Sequence, residues 1–361
     1  MSLPTVVVVN DSDVASAVIC AIIKASGQYQ LVAQATTGQQ GIELICKHKP
    51  RLVVLDMHMP DITGVEVTRE IMQRCPTRIL ICSATVRRNT RYMFEALNLG
   101  ALDYIRTPSL MAKPGQRLTN KQMLSAGKQL LHKLRLLNGL SLKQSPEKVV
   151  KPEQIPARAI PVDIKKLNPH SAAVPLVLIG CSTGGPTALK NLFKALPVNL
   201  KAAIVIVQHI EKGFSEGLAR WLSLETGHTV REAKQGDHLL GGIAYVAQGG
   251  RTNLLISKAL RISYENSGDA IYYPNINRTF ATAVEAVGNS CCGIIMTGLG
   301  NDGAESLQKL KAAGGLALAQ NPETAVIDNM PLSAMQAAGL SRGYELGDIA
   351  LNVVHWLGKQ A

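Results

Sequence analysis

The chain has 361 residues, enough for two ordinary globular domains that each bury a core. Hydrophobic residues make up 46% and aromatics only 4%, a Val/Ile/Ala/Leu-rich balance that suits α/β layers. The net charge of +12 points at first to nucleic acid, but residues 106–170 alone hold 13 Lys/Arg against three acidic residues; a solvated basic linker is the better reading, and a nucleic-acid partner is not expected.

The amino terminus (MSLPTVVVVNDSD) shows no secretory-signal pattern, and no apolar run approaches the roughly 18 residues of a membrane span. A soluble, cytoplasmic chain without membrane insertion is expected. The seven cysteines (Cys20, Cys46, Cys75, Cys82, Cys181, Cys291, Cys292) are odd in number, scattered and never spaced as CxxC. That pattern argues against a disulfide framework and against zinc, and fits a reducing cytosol.

Residues 5–106 alternate apolar runs with amphipathic segments. The runs are Val6–Val9, Leu31–Ala35, Leu52–Leu55, Ile79–Cys82 and Asp103–Arg106, with helical spacing over Val65–Gln73 and Asn89–Leu99. Five such alternations predict a doubly wound, five-stranded parallel sheet. A last basic amphipathic helix is predicted over 120–137. From about 141 to 172 periodicity gives way to Pro and Lys, with prolines at 146, 152, 156, 161 and 169. The chain therefore divides into 1–140, a linker 141–172, and 173–361.

A second α/β pattern begins at Pro175. Leu176–Ile179, Ala203–Val207, Gly293–Thr297 and Leu316–Ala319 read as buried strands, 188–196 and 304–313 as helices, and 242–264 as shorter strands forming an edge hairpin. A mostly parallel sheet follows.

Gly180-Cys181-Ser182-Thr183-Gly184 matches G-x-S-x-G between a strand and a helix, a turn that holds a serine hydroxyl out at the sheet edge. A plain glycine-rich turn would look the same. A serine needs a base, itself oriented by a third group. Among the histidines around and after Ser182, His209 alone directly follows a buried strand (AAIVIVQH), and among later aspartates Asp302 alone does so (CGIIMTGLGND). All three fall at carboxyl ends of predicted parallel strands, the edge where open α/β sheets build sites. Ser182, His209 and Asp302 are therefore the expected nucleophile, base and orienting acid. The order Ser…His…Asp differs from that of the α/β-hydrolases. Cys181 reads as a packing thiol, and Gly298-x-Gly300-x-x-Gly303, though literally a dinucleotide fingerprint, lacks the acid expected after the next strand.

GCSTGGP, VQHI, GIIMTGLGNDGA and ALAQNPETAVIDNMP resemble the motifs of chemotaxis-type protein-glutamate methylesterases over 175–350. The resemblance implies a Ser182/His209/Asp302 triad and an oxyanion donor at the Leu299 backbone N–H. It also implies hydrolysis of glutamyl methyl esters on the cytoplasmic domain of methyl-accepting receptors, with glutamine deamidation alongside, and no cofactor for that step. The family's Arg-Pro-Ser-Val-Asp run is set against Asn277-Arg278-Thr279-Phe280-Ala281, which makes Arg278 a substrate-side candidate.

Residues 1–137 resemble a two-component receiver. Asp56 ends RLVVLD, followed by MHMPDITG. The resemblance implies phosphorylation of Asp56 by a chemosensory histidine kinase, with Mg²⁺ held by Asp11, Asp56 and the His58 carbonyl, and a switch hydroxyl at Ser83. Asn10 stands where most receivers have a second acid, and Thr107, beside Arg106, stands where they have lysine. The expectation is a monomeric, phosphorylation-regulated methylesterase whose receiver covers the cleft until Asp56 is phosphorylated. The alternatives are a non-catalytic or constitutively active adaptor with a degenerate receiver, and a DNA-binding response regulator.

Overall fold

In β1 (Thr5–Val9) every residue from Val6 to Val9 is fully buried, because the strand lies inside a sheet covered on both faces. Val6 and Val8 pack towards α1 (Asp13–Ser26), whose Ile19, Ile22 and Ile23 join the same cluster. Val9 points to the other face, where Gly41 of α2 (Gly38–His48) leaves it room: a Cβ there would lie 2.8 Å from Val9 Cγ1. These contacts belong to a computed structural model that describes residues 2–83, 86–110, 119–140, 174–268 and 272–360, with 86–90 described by backbone alone. The linker expected at 141–172 lies outside the described residues.

The chain forms two compact units, 1–155 and 156–361. In the first, β2 (Gln30–Ala35), β3 (Leu52–Leu55), β4 (Arg78–Ser83) and β5 (Asp103–Arg106) join β1 in a parallel sheet of order β2-β1-β3-β4-β5. The order reverses between β1 and β3, and a crevice opens there at the strands' carboxyl ends. Around the sheet run α3 (Gly64–Arg74) and α4 (Val86–Asn98), and then a pair of helices where one was expected. The predicted 120–137 helix is broken into α5 (Asn120–Ala126) and α6 (Lys128–Gly139) at Gly127. Gly127 sits on α1 so closely that a Cβ would lie 2.2 Å from Ile22 Cγ2. Only α6 lays Leu130, Leu134 and Leu137 on the sheet; α5 buries no side chain.

The cysteine expectation is corrected here. Cys46 near the end of α2 and Cys75 just after α3 form a disulfide, with Cα atoms 5.4 Å apart. They stand 29 residues apart in sequence, and only the side-by-side packing of α2 and α3 makes them neighbours. The other five cysteines are free and buried.

The second unit holds a six-stranded, wholly parallel sheet. Its strands are β6 (Leu176–Cys181), β7 (Ala203–Gln208), β8 (Thr229–Glu232), β9 (Ile243–Val246), β12 (Cys291–Ile295) and β13 (Leu316–Ala319), in the order β13-β12-β6-β7-β9-β8. The hairpin β10 (Thr252–Ile256)–β11 (Ile262–Asn266) is an antiparallel sheet of its own rather than an edge of the large one. Its outer backbone groups are satisfied by α9 (Ile276–Val287): Thr279 Oγ1 donates to the Leu254 carbonyl at 2.8 Å, and the Ile256 N–H donates to Thr282 Oγ1 at 3.1 Å. The remaining helices are α7 (Gly185–Ala195), α8 (Ser215–Thr226), α10 (Ala304–Ala312), α11 (Asn329–Ala338) and α12 (Leu346–Gln360). The strand order reverses at β6, between β7 on one side and β12 on the other, which fixes where a site can open.

Candidate active site

Ser182 follows β6 directly, and its backbone is held from both neighbouring strands. Its N–H donates to the Thr297 carbonyl beyond β12 at 3.0 Å, and its carbonyl accepts from Gln208 Nε2 of β7 at 2.8 Å. The tight turn then needs Gly184 at φ +80, where Val326 and Thr297 also leave no space for a Cβ. His209 is placed by the adjacent strand: Cys181 pairs with Gln208, and the His209 N–H donates to the Cys181 carbonyl at 3.0 Å. Ser182 and His209 thus leave neighbouring strand ends at the same level.

Asp302 comes from the loop between β12 and α10. Its Oδ2 lies 2.9 Å from His209 Nε2, and both oxygens take backbone N–H groups at the start of α9, Ile276 at 2.7 Å and Asn277 at 2.9 Å. A helix N-terminus is a favourable seat for a carboxylate. With Nε2 committed to Asp302, the donor there must be N–H, and Nδ1 carries the lone pair. Nδ1 is buried and has no hydrogen-bond partner among the described residues. The structure therefore pairs His209 with Asp302, leaves Nδ1 unengaged among the described residues, and sets Ser182 at the neighbouring strand end.

Leu299 lies in the same β12–α10 loop. Gly298, just before it, presses on the nucleophile: a Cβ at Gly298 would meet Ser182 Cβ at 2.7 Å. The other two glycines of the would-be dinucleotide fingerprint also serve close approach. Gly300 (φ +89) faces the Tyr272 ring, and Gly303 (φ +95) faces Ile295 and Ile276. Cys181 is fully buried, its thiol donates to Gln208 Oε1 at 3.1 Å, and burial pushes its pKa up, all of which suits packing.

Two contributors escaped the sequence reading. Gln208, 2% exposed, donates from Nε2 to the carbonyls of both Ser182 and His209, the latter at 2.9 Å, so one amide ties the two strand ends together. A polar residue closing a buried run just before a histidine was the available signal. Tyr272 stacks on His209 with ring centroids 5.0 Å apart and planes 8° from parallel. It lies in an aperiodic stretch that gave no signal.

Arg278 is exposed and forms a forked pair with Glu265 of β11, Nε–Oε1 2.7 Å and Nη2–Oε2 3.1 Å. That guanidinium holds the Glu265 carboxyl below its usual range. Asn275 caps α9, with Pro274 before it and Ile276-Asn277 opening the helix.

In the first unit Asp56 follows β3 and is 8% exposed. Burial pushes its carboxyl up to about 6, Asp11 adds to the rise, and the Met57 and His58 N–H groups oppose it. Asp11 is exposed at the end of β1, beside buried Asn10, whose Oδ1 accepts from the Ser12 N–H at 2.9 Å. Gly64 allows the following loop to close on Asp56, since a Cβ there would lie 2.4 Å from the Asp56 carbonyl oxygen. Ser83 Oγ is buried without a partner among the described residues. Thr107 stands beside it, its N–H donating to the Ser83 carbonyl at 3.1 Å, while Arg106 is exposed. No group of three or more metal-holding His, Cys, Asp or Glu side chains occurs among the described residues. Two mutually repelling carboxylates at one crevice nevertheless suit a hard cation with oxygen ligands, so Mg²⁺ fits Asp11, Asp56 and a main-chain carbonyl. No helix among the described residues is long and apolar enough to cross a membrane.

The CheB methylesterase family model matches residues 177–353, and the response regulator receiver domain model matches residues 6–114. The chain is 34% identical over 347 residues to protein-glutamate methylesterase/protein-glutamine glutaminase 2 of Anaeromyxobacter dehalogenans, covering 95% of this chain and 94% of that one. It is 32% identical over 348 residues to protein-glutamate methylesterase/protein-glutamine glutaminase 3 of Burkholderia orbicola, covering 96% of each. Among solved structures it is similar to the Thermotoga maritima CheB methylesterase catalytic domain (30% identity, TM-score 0.48, 51% of this chain and 99% of that one). With both domains matched and relatives aligned from end to end, this chain belongs to the CheB-type protein-glutamate methylesterases that carry an N-terminal receiver and a C-terminal methylesterase domain.

Proposed function

We propose that residues 173–361 hydrolyse glutamyl methyl esters on the cytoplasmic domain of methyl-accepting receptors and deamidate receptor glutamines, under control of a receiver at 1–140. The observation that carries the chemistry is the His209 ring, bonded to Asp302 through Nε2 and bare at buried Nδ1, one strand away from Ser182. Nδ1 takes the Ser182 proton as Oγ attacks the ester carbonyl carbon. The Leu299 N–H receives the developing oxyanion, with the amides at the start of α7 adding positive potential. The imidazolium returns its proton to the departing methoxide, and methanol leaves. Water, activated by the same nitrogen, then splits the acyl-serine and restores glutamate. With a glutamine substrate the leaving group is ammonia. Asp302 holds the tautomer throughout.

At the receiver, the Asp56 carboxylate accepts a phosphoryl group from a chemosensory histidine kinase; Asp11, Asp56 and the His58 carbonyl would hold Mg²⁺, which would supply charge neutralisation at the phosphoryl oxygens. The orphaned Ser83 hydroxyl suits a switch that donates to a phosphoryl oxygen. Phosphorylation then raises hydrolysis by favouring an active conformer. This work takes place in the cytoplasm, with the chain acting as a monomer.

The test is methanol release from methylated receptor. Wild type should release it and Ser182→Ala should not; release by Ser182→Ala at the wild-type rate would refute the hydrolase reading.

A further inference from the structure

A hydrogen bond at Nε2 fixes one point of the His209 ring but leaves it free to swing about its own bond to Cβ. Such a swing would carry Nδ1 out of line with Ser182 while barely stretching the bond to Asp302. Something must therefore press on the face of the ring. Tyr272 lies there, parallel within 8° and 5.0 Å away between centroids, inside the range of favourable offset aromatic pairs.

Tyr272 is itself held in place. The following residue, Tyr273, accepts the Ile210 N–H through its carbonyl at 3.3 Å, which ties the segment to the residue after the base. Four and five residues on, Ile276 and Asn277 give their N–H groups to Asp302. Segment 272–277 is thus strapped to the residue after the base at one end and to the acid at the other. Gly300 also closes against the Tyr272 ring; even a methyl group there would lie 3.0 Å from it. Burial and the Asp302 charge push the phenol up, so it stays neutral and does not compete with His209 for protons. Asp302 and Tyr272 both contact the His209 ring.

We propose that Tyr272 is a positioning residue of the esterase: its aromatic face locks the plane of the His209 ring and favours the imidazolium formed when Ser182 gives up its proton. An aromatic face attracts a cation laid over it, so the stack helps more after proton transfer than before, which is the condition for accelerating a step. This inference rests on the hydrolase reading above.

The test uses the full-length protein and a fluorophosphonate probe, which an activated serine attacks at phosphorus with loss of fluoride, independently of any receptor. Tyr272→Phe keeps the face and should label within about twofold of wild type. Tyr272→Leu keeps apolar bulk without the face; its labelling and its kcat on methylated receptor should fall about tenfold, with KM little changed. The acid limb of its rate–pH profile should also move about half a unit towards lower pH. Tyr272→Met carries the same expectation if the leucine variant does not fold. Wild-type labelling and an unmoved limb in Tyr272→Leu would overturn the proposal. So would a raised KM at unchanged kcat, or a phenylalanine variant as impaired as the leucine one. If wild type itself is not labelled, the hydrolase reading falls first and this inference with it.

Discussion

The two polar sites of this chain both sit at a strand-order reversal of a parallel sheet, yet they are finished to different degrees. In the esterase unit Asp302 has three donors and Gln208 spans two strand ends, while Nδ1 of His209 alone of that group has no partner among the described residues. In the receiver unit Asp56 is buried beside another acid and pushed up to about 6, and the Ser83 hydroxyl has no partner among the described residues. The first site's acid is satisfied by its own protein donors, while the second leaves a buried carboxylate beside a like charge. A site of the first kind should lose activity on almost any change, whereas the second should show its incompleteness as a stability cost.

The largest expected effect is on the complete site. Asp302→Asn keeps the shape but removes the charge and turns one of two accepting oxygens into a donor facing N–H groups, so the His209 tautomer is no longer fixed, and it should cost about 10³–10⁴-fold in kcat by methanol release. A loss under tenfold would mean that the 2.9 Å contact is incidental. Next comes regulation. Asp56→Ala should abolish stimulation by acetyl phosphate while basal hydrolysis persists; equal stimulation of the variant would remove Asp56 as the acceptor. Gln208→Leu should follow, because it frees the carbonyls of Ser182 and His209 at once. About a tenfold fall in kcat with little change in KM is expected, and an unaltered kcat would show that the strands hold both residues without it.

The receiver's incompleteness has a pH signature. Asp56 holds its proton more tightly in the fold than in the unfolded chain, so stability falls as pH rises from about 4 to about 6 and the cost is full above that. Asp56→Asn, measured with a chelator present, should therefore stabilise the receiver at pH 7.5 by up to about 3 kcal/mol and give no gain below about pH 4. A gain independent of pH would contradict the assignment. The smallest effect belongs to Arg278→Ala. Its pair with Glu265 is exposed, so stability should change by less than about 1 kcal/mol in thermal unfolding.

How much of this could be read beforehand follows from where each signal lies. Strands such as β1 and β7 are buried on both faces, so they appear as unbroken apolar runs, and a polar residue ending such a run is conspicuous; the strand-end positions of Ser182 and His209 were legible for that reason, whereas Asp302 lies in the loop after β12. The edge strand β8 reads TVRE, half exposed, and left no such mark. The Cys46–Cys75 bond and the break at Gly127 depend on which helix lies beside which, information that no local pattern carries. Tyr272 meets His209 through a tertiary stack from an aperiodic segment, which leaves no local mark.

The central claim is that Ser182, His209 and Asp302 act as one unit. The most direct test is the rate of methanol release from methylated receptor by Ser182→Ala, Asp302→Asn and the double variant. If the residues work together, the double variant should be no slower than Ser182→Ala alone, within about twofold. Multiplying losses, or a Ser182→Ala enzyme that still turns over and is slowed further by Asp302→Asn, would contradict it.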